Sequence, residues 1–191
     1  MNTADPTSTL PKAAPGGLSA LGLKLLAMAL MLCDHLWASV ASDQAWLTHI
    51  GRIAFPIFAF QIAEGFARTH DRKRYLLRML AFAALSEVPF DLFYGGTVFY
   101  PFHQNVMFTF VLAILLLLGV EKFRKKGNIP YLLAAAFAVL LGYALGTVTM
   151  VDYYGCGVVT VLLFYLCRGW KWGWLPELAG LLYLNGVVLG G

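Results

Sequence analysis

The first apolar segment carries two ionisable side chains whose spacing places them on one helix face. Lys24 and His35 lie eleven positions apart, so a helix turning by about 100° per residue returns them to within about 20° of each other. Along the axis they stand about 16 Å apart. Because ionisable groups inside a bilayer are costly, each is a candidate functional residue. His35 is also a candidate general base near neutral pH.

Polar side chains recur near the end of the predicted helices that carries His35. They are Asp34, Arg52, Ser86, Glu87, Asp91, His103, Asn105, Asp152 and Tyr153. Each ionisable group needs a partner away from lipid, so several at one depth predict a shared polar cavity. Asp34 points about 100° away from its neighbour His35, and a carboxylate from another helix, such as Glu87, is therefore the expected partner of the imidazole.

Glu87 and Asp91 are four residues apart and face the same way, with Pro89 between them. Pro89 frees a backbone carbonyl and is predicted to kink the helix. Two interpretations remain open for the carboxylates. They form a helix-end pair neutralised by Arg52, or they contribute to the polar cavity.

The opposite end of the predicted helices is basic. Glu64 and Arg68 have the i to i+4 spacing of a salt bridge, which contributes about 0.2–0.5 kcal/mol on a helix surface. The cations at this end are Lys24, Arg68, Arg72, Lys73, Arg74 and Arg78. Such a basic rim suits lipid headgroups, or a phosphate-bearing cofactor that enters from the cytoplasm.

The composition indicates an integral membrane protein. Of 191 residues, 60% are hydrophobic and 13% are charged, against about 45–50% and about 25% in soluble domains. The apolar segments predict an all-α, polytopic membrane helix bundle of about seven transmembrane helices, or six if the last segment does not span. These helices are expected near 18–40, 47–67, 75–94, 105–123, 131–151, 154–167 and 175–189. Residues 1–17 are predicted to be a disordered cytoplasmic tail, and 18–191 a single transmembrane domain.

The distribution of cations predicts the orientation of the chain. With seven spans, all but Arg52 of the 14 Lys and Arg residues fall on one side, which places the N-terminus in the cytoplasm. The net charge of +4 does not indicate nucleic-acid binding, because the cations lie in the short loops that set topology. The three cysteines lack metal-binding spacing.

Seven segments resemble the TraX family, in the family's order and over about residues 20–165. They are Lys24…Asp34-His35, GRIAFPIFAF at 51–60, Glu64-Gly65-Phe66…Thr69, Tyr75-Leu-Leu-Arg78, SEVPFD at 86–91, NVMFT at 105–109, and DYYGCG at 152–157. GRIAFPIFAF and SEVPFD are the most specific. The Lys24-x10-His35 spacing is also similar to the basic-x10-His pattern in the first helix of acyltransferase-3 type membrane enzymes, where the histidine is thought to be essential.

The TraX family is named for a membrane protein that N-acetylates F-type pilin during conjugation. The resemblance therefore implies acyl transfer from acetyl-CoA or another acyl-CoA, without a metal. The residue pattern and the resemblance together assign His35, Asp34, Glu87 and Arg52 to catalysis, Asp91, Asn105, Asp152 and Tyr153 to the acceptor, and Lys24, Glu64, Arg68, Tyr75 and Arg78 to the donor. The acceptor is expected on the extracytoplasmic side, as a protein N-terminus, a glycan or a small molecule. Its identity does not follow from the resemblance, because family members occur without F-like pilin.

Two other functions are consistent with many of the same residues. A small proton-coupled transporter would use the same cavity, with a carboxylate and a histidine as proton relay, although no internal repeat is detectable. A non-catalytic assembly factor for a pilus or envelope structure would tolerate substitution of the polar residues together.

Overall fold

The computed structural model describes residues 18–184 and 186, and its regular elements are helices. They are α1 (Ala20–Ser39), α2 (Ala45–Gly51), α3 (Ala54–Arg68), α4 (Arg72–Gly95), α5 (Val106–Arg124), α6 (Asn128–Val148), α7 (Tyr154–Leu166) and α8 (Trp174–Tyr183). The predicted all-α fold is confirmed. The predicted tail at 1–17 and the end of the last predicted helix lie outside the described residues.

The chain divides into two compact units, Met1–Ile57 and Phe58–Gly191, which we call unit 1 and unit 2. In unit 1, α1 and α2 pack against each other. Ser19 caps α1 because its Oγ accepts a hydrogen bond from the N–H of Gly22 at 3.0 Å. Lys24 and His35 therefore lie on one uninterrupted helix, as their spacing predicts.

The single helix predicted at 47–67 is interrupted at residues 52–53, between α2 and α3. Pro56 has no N–H to donate to the carbonyl of Arg52 four residues earlier, and its ring crowds that carbonyl. The backbone tightens instead, and the N–H of Ile53 donates to Ile50 at 3.2 Å. Pro56 itself lies in the first turn of α3, where a missing donor costs little.

Unit 2 is built around α5, which packs against α4, α6 and α7. Its fully buried side chains include Phe66 of α3 and, from α5 and α7, Ile114, Leu117, Val158 and Leu162, each 0% exposed. α4 is longer than predicted at its start, because the side chain of Asp71 accepts a hydrogen bond from the N–H of Arg74 and caps the helix at Arg72.

Glycines allow α6 and α7 to approach closely. A Cβ on Gly155 would lie 2.2 Å from the carbonyl oxygen of Tyr143, and one on Gly146 would lie 2.8 Å from the Cα of Gly155. Small residues at helix interfaces are typical of membrane bundles, where close backbone packing replaces the hydrophobic effect.

Four helical segments of the described chain are long and apolar enough to cross a membrane: Ala20–Ser39, Ala45–Arg68, Val106–Arg124 and Asn128–Val148. α7 is apolar but has only 13 residues, about 20 Å at 1.5 Å per residue, against a hydrocarbon core of about 30 Å. Large apolar side chains are exposed on α6, including Leu132, Leu133, Phe137 and Leu140 at 64–71%. Such a surface fits lipid rather than water, so this is a membrane protein. The expectation of six or seven spans remains a prediction.

Candidate functional site

His35 in unit 1 has a defined tautomer. Its Nδ1 lies 2.8 Å from the carbonyl oxygen of Met31, one turn earlier in α1. A carbonyl oxygen can only accept a hydrogen bond, so Nδ1 carries the proton in this contact. The neutral ring then has its lone pair on Nε2, the form required of a general base or nucleophile. His35 is partly buried, whereas Lys24 is exposed.

Asp34 joins α1 to α2. Its Oδ1 accepts a hydrogen bond from the hydroxyl of Thr48 at 2.7 Å, and Thr48 is 7% exposed. Gly51 allows this contact, since a Cβ there would lie 2.5 Å from the Cβ of Asp34. Arg52, which follows α2, is exposed. Asp34 thus fixes the short helix that presents Arg52.

In unit 2, Glu87 meets Asn105, the residue that caps α5. The Nδ2 of Asn105 donates to Oε2 of Glu87 and, at 2.9 Å, to the carbonyl of Ala83. The backbone N–H of Asn105 reaches the same carboxylate oxygen at 3.2 Å, while its Oδ1 accepts from the N–H of Met107. Asn105 is 3% exposed. Two residues predicted for different roles, catalysis and acceptor binding, are thus in direct contact.

Asp91 is the most buried carboxylate of α4, at 1% exposure. Its Oδ2 accepts the backbone N–H of Tyr100 at 2.9 Å, and its buried Oδ1 has no hydrogen-bond partner among the described residues. A buried polar atom without a partner is uncommon and calls for a physical explanation. A bound water or substrate donor would satisfy it.

Asp152 contacts His103, a residue of the predicted polar cavity to which the sequence assigned no role. Nε2 of His103 lies 3.5 Å from Oδ1 of Asp152, and the ring of His103 stacks on Tyr94 with 4.6 Å between centroids. The signal for this pair was present in the sequence, because both residues lie just before helix starts at the end of the helices that carries Glu87. We call Glu87, Asp91, His103, Asn105 and Asp152 the acidic end of unit 2.

The backbone that carries Asp152 is strained. Met150, Tyr153 and Tyr154 have φ values of 53°, 60° and 49°, in the left-handed region that costs a non-glycine residue about 1–2 kcal/mol. The loop is held by the N–H of Gln104, which donates to the carbonyl of Met150 at 3.0 Å, and by the N–H of Asp152, which donates back to Gln104 at 2.9 Å. Strain of this kind persists where surrounding contacts impose it, and it clusters at functional sites.

The other end of unit 2 is an arginine-rich cluster. Glu64 accepts from Nε of Arg68 at 2.7 Å and from Nε of Arg168 at 2.6 Å. Glu121 pairs with Nη1 of Arg72 at 3.1 Å and Nη1 of Arg124 at 3.2 Å. We call Glu64, Arg68, Arg72, Glu121, Arg124 and Arg168 the arginine end. The predicted salt bridge between Glu64 and Arg68 is present, and Arg168 joins it from a position far along the chain. Glu121 forms a separate set of ion pairs with Arg72 and Arg124.

The remaining donor-site predictions lie on the first turns of α4. Tyr75 is partly buried, and its hydroxyl lies 3.5 Å from the carbonyl of Ile62 and packs against Gly65. Arg78 is exposed. Tyr153, predicted to contact the acceptor, flanks Asp152 and donates its N–H to Oδ1 of that residue at 3.0 Å. Across residues 18–184 and 186, no group of three or more His, Cys, Asp or Glu side chains converges as metal ligands would.

The family described as TraX protein matches residues 19–189. The chain belongs to the TraX family. It is 30% identical over 134 residues to the probable fimbrial assembly protein FimC, serogroup H1, of Dichelobacter nodosus, an alignment covering 64% of this chain and 55% of that protein. It is 31% identical over 101 residues to Protein TraX of Escherichia coli strain K12, covering 52% of this chain and 39% of that protein.

The chain thus aligns with about half or less of the length of these TraX-like relatives. No solved structure matches it. The TraX family match includes His35 of unit 1 and both ends of unit 2, so the candidate residues all belong to the family region.

Proposed function

We propose that this TraX family member is an integral membrane acyltransferase. It would move an acetyl or longer acyl group from acyl-CoA to an amine or hydroxyl acceptor. The observation that carries the proposal is the family match over residues 19–189, because acyl transfer is the activity that the TraX resemblance implies. The acceptor would be a protein N-terminus, such as that of a pilin, an envelope glycan or a small molecule.

The arginine end suits the phosphates of the donor. Each of its two glutamates is shared by two arginines, so the ion pairs leave a net positive charge. Arg68 and Arg168 are 72% and 43% exposed at their side chains and can therefore exchange a glutamate for a phosphate oxygen, as charge-assisted pairs do. The same role, binding of the acyl donor, is proposed for Lys24, Tyr75 and Arg78.

A donor from the cytoplasm fixes the proposed orientation. The cations of the chain fall on one side in the predicted topology, and the positive-inside rule places that side in the cytoplasm. The arginine end would then face the cytoplasm of a bacterium, with the N-terminus on the same side, and the acidic end would face outward. The proposed donor and acceptor sites would then lie at opposite membrane surfaces.

His35 is the proposed reactive group of unit 1. With its Nδ1 proton held by the carbonyl of Met31, the neutral ring carries its lone pair on Nε2, the atom proposed to accept a proton or to take up the acyl group. Arg52 and Asn105 are proposed to stabilise negative charge on the reacting oxygen or to hold the acceptor. Asp91, Asp152 and Tyr153 would complete the acceptor site.

A non-catalytic role in fimbrial assembly is the second candidate. It is favoured by one observation, the 30% identity to a probable fimbrial assembly protein over 134 residues. An assembly factor would bind its partner without consuming acyl-CoA.

The two candidates are distinguished by transfer of label from [¹⁴C]acetyl-CoA in membranes that contain the full chain. The acceptors are a short peptide with a free α-amino group and a short glucan. We expect His35→Gln to reduce transfer by about 10²- to 10⁴-fold, the usual contribution of a general base. The control is His49→Gln, which replaces an exposed histidine of α2. Undiminished transfer by His35→Gln at normal expression would remove His35 from the mechanism, and no transfer by the wild type would favour assembly.

A further inference from the structure

His103 is held in one orientation by aromatic rings on three sides. Its ring stacks on Tyr94 at 4.6 Å and 20°, and on Phe90 at 5.7 Å and 25°. Tyr154 meets it edge-on at 6.0 Å. Its side chain is 12% exposed, so the imidazole is positioned by packing yet still reachable. A surface histidine without a role would not require such a setting.

Asp152 is aimed at this ring by its own contacts. Its Oδ1, 3.5 Å from Nε2 of His103, also accepts the N–H of Tyr153 at 3.0 Å. Its carbonyl accepts the hydroxyl of Thr109 at 2.7 Å. At 3.5 Å the contact with His103 is longer than a hydrogen bond, as contacts in substrate-free catalytic sites often are before substrate tightens them.

The loop that presents Asp152 keeps an unfavourable backbone. Met150 before it and Tyr153 and Tyr154 after it all have positive φ. The loop is clamped to Gln104, the neighbour of His103, by two backbone hydrogen bonds. The fold thus accepts strain on both sides of Asp152 and ties the loop to the segment that carries His103. This is the arrangement expected where a side chain must be positioned for chemistry.

The acidic end also retains an unfilled hydrogen-bond acceptor. Oδ1 of Asp91, a residue 1% exposed and adjacent to Phe90 in α4, has no partner among the described residues. A ligand that carries N–H or O–H groups would supply the missing donor. An acyl acceptor, whose reacting atom is an amine nitrogen or a hydroxyl oxygen, is such a ligand.

We propose that His103 is a catalytic base for the acyl acceptor and that Asp152 is its positioning residue. The inference rests on the proposed acyltransferase function and concerns unit 2 alone. Nε2–H of His103 faces Asp152, which leaves the lone pair on Nδ1. In the step, Nδ1 removes one proton from the attacking nitrogen or oxygen, and that atom bonds to the acyl carbon. The thioester C–S bond breaks with its electron pair on sulfur, and the CoA thiolate takes up a proton from solvent while His103 returns its proton to solvent.

Asp152 stabilises the imidazolium formed in this step, in the manner of a base and its orienting carboxylate. The other titratable groups around the ring are Tyr94 and Tyr154, with Asp91 and Glu87 on the same face of α4.

The test uses the full-length protein in nanodiscs with [¹⁴C]acetyl-CoA and the peptide acceptor. We expect His103→Gln to reduce kcat by about 10²-fold or more, the lower range for a general base, with little change in KM for acetyl-CoA. Asp152→Asn keeps the size of the side chain and the acceptor for the N–H of Tyr153 but removes the charge, and it should give a smaller loss. The control is His70→Gln, which replaces an exposed histidine of unit 2.

A second acceptor separates catalysis from folding. Hydroxylamine is unprotonated at neutral pH and a strong nucleophile, so its acylation needs little help from a base. The defect of His103→Gln should therefore shrink at least tenfold with hydroxylamine, and the fall in wild-type rate towards acidic pH should disappear in the variant. A misfolded variant would lose both reactions equally.

Two results would overturn the inference. One is an unchanged kcat and pH profile in His103→Gln while the wild type transfers acyl groups, which would leave the base role to His35. The other is an equal loss with both acceptors, which would make His103 structural. Absence of transfer by the wild type to peptide, glucan and hydroxylamine alike would instead remove the proposed function, and the base role with it.

Discussion

The two ends of unit 2 stabilise their carboxylates in different ways. At the arginine end, Glu64 and Glu121 each pair with two arginines. At the acidic end, Glu87 and Asp91 are held by the N–H groups of Asn105 and Tyr100. α5 runs from one end to the other over 19 residues, about 28 Å at 1.5 Å per residue.

This difference indicates what each end can bind. The arginines retain positive charge and exposed side chains, so the cluster can exchange partners with an incoming anion. Within the described part of unit 2, no Lys or Arg pairs with Glu87, Asp91 or Asp152, and Oδ1 of Asp91 has no donor, so the acidic end retains a demand for hydrogen-bond donors. One end therefore suits a phosphate-bearing donor, and the other suits an acceptor with N–H or O–H groups.

The largest effect on stability is expected from Asn105→Asp. The substitution keeps the cap of α5, since Asp is as good an N-cap as Asn. It replaces the amide donor with an oxygen that faces Glu87 and the carbonyl of Ala83. We expect the free energy of unfolding to fall by about 3 kcal/mol, because a buried charged acceptor loses its donor. Thermal unfolding in detergent measures the change.

Asn105→Ser serves as the control, because it keeps a capping oxygen and adds no charge, and its loss should be smaller. A stability equal to that of the wild type at neutral pH would mean that Glu87 does not depend on Asn105.

The next largest effect on stability is expected from Glu121→Gln, at the arginine end. Glu121 is 10% exposed at its side chain and pairs with Arg72 and Arg124. We expect a loss of about 2 kcal/mol in the free energy of unfolding, because hydrogen bonds to a charged group contribute about 1.5–3 kcal/mol. Glu177→Gln on α8 is the matched control and should stay within about 0.5 kcal/mol. Equal losses in both variants would contradict a specific role for Glu121.

Much of the fold follows from the sequence, because the helices coincide with apolar runs and with caps that local chemistry dictates. The break at residues 52–53 could have been predicted as well, from the carbonyl that Pro56 leaves without a donor. It was obscured by the continuous apolar character of the segment. The cap at Asp71 is local too, because it accepts the N–H of Arg74 three residues later, but the charged run at 69–75 is typical of a loop and obscured this helix start.

The residues of the candidate site could be predicted from the sequence, but the contacts between them could not. Glu87, Asp91, Asn105 and Asp152 were selected because polar groups in apolar segments are costly. Their partners depend on how helices distant in sequence pack. His103 meets Asp152 only because two loops are clamped together, and Glu121, beside the basic run at 122–126, meets Arg72 only because α4 and α5 are antiparallel.

Met150→Gly tests the strain near Asp152 and should have a smaller effect of the opposite sign. Met150 has φ 53° and is 40% exposed, so glycine removes strain at little cost in packing. We expect a gain of about 1 kcal/mol in the free energy of unfolding. Val148→Gly, two residues earlier in α6, should instead cost about 1 kcal/mol as an ordinary helical glycine does. A loss at both positions would mean that the loop is unstrained.

The smallest effect on stability is expected from Arg68→Ala. The side chain is 72% exposed, and exposed ion pairs contribute about 0–1 kcal/mol, so the melting temperature should hardly change, least of all in high salt. If the arginine end binds the phosphates of acyl-CoA, the same substitution should raise KM for acetyl-CoA several-fold and leave kcat nearly unchanged, because the contact is made equally in the ground and transition states. Arg68→Lys, which keeps the charge, should recover part of that KM. A large loss of stability with an unchanged KM would make Arg68 a structural residue, and the inferred difference in what the two ends bind would then fail.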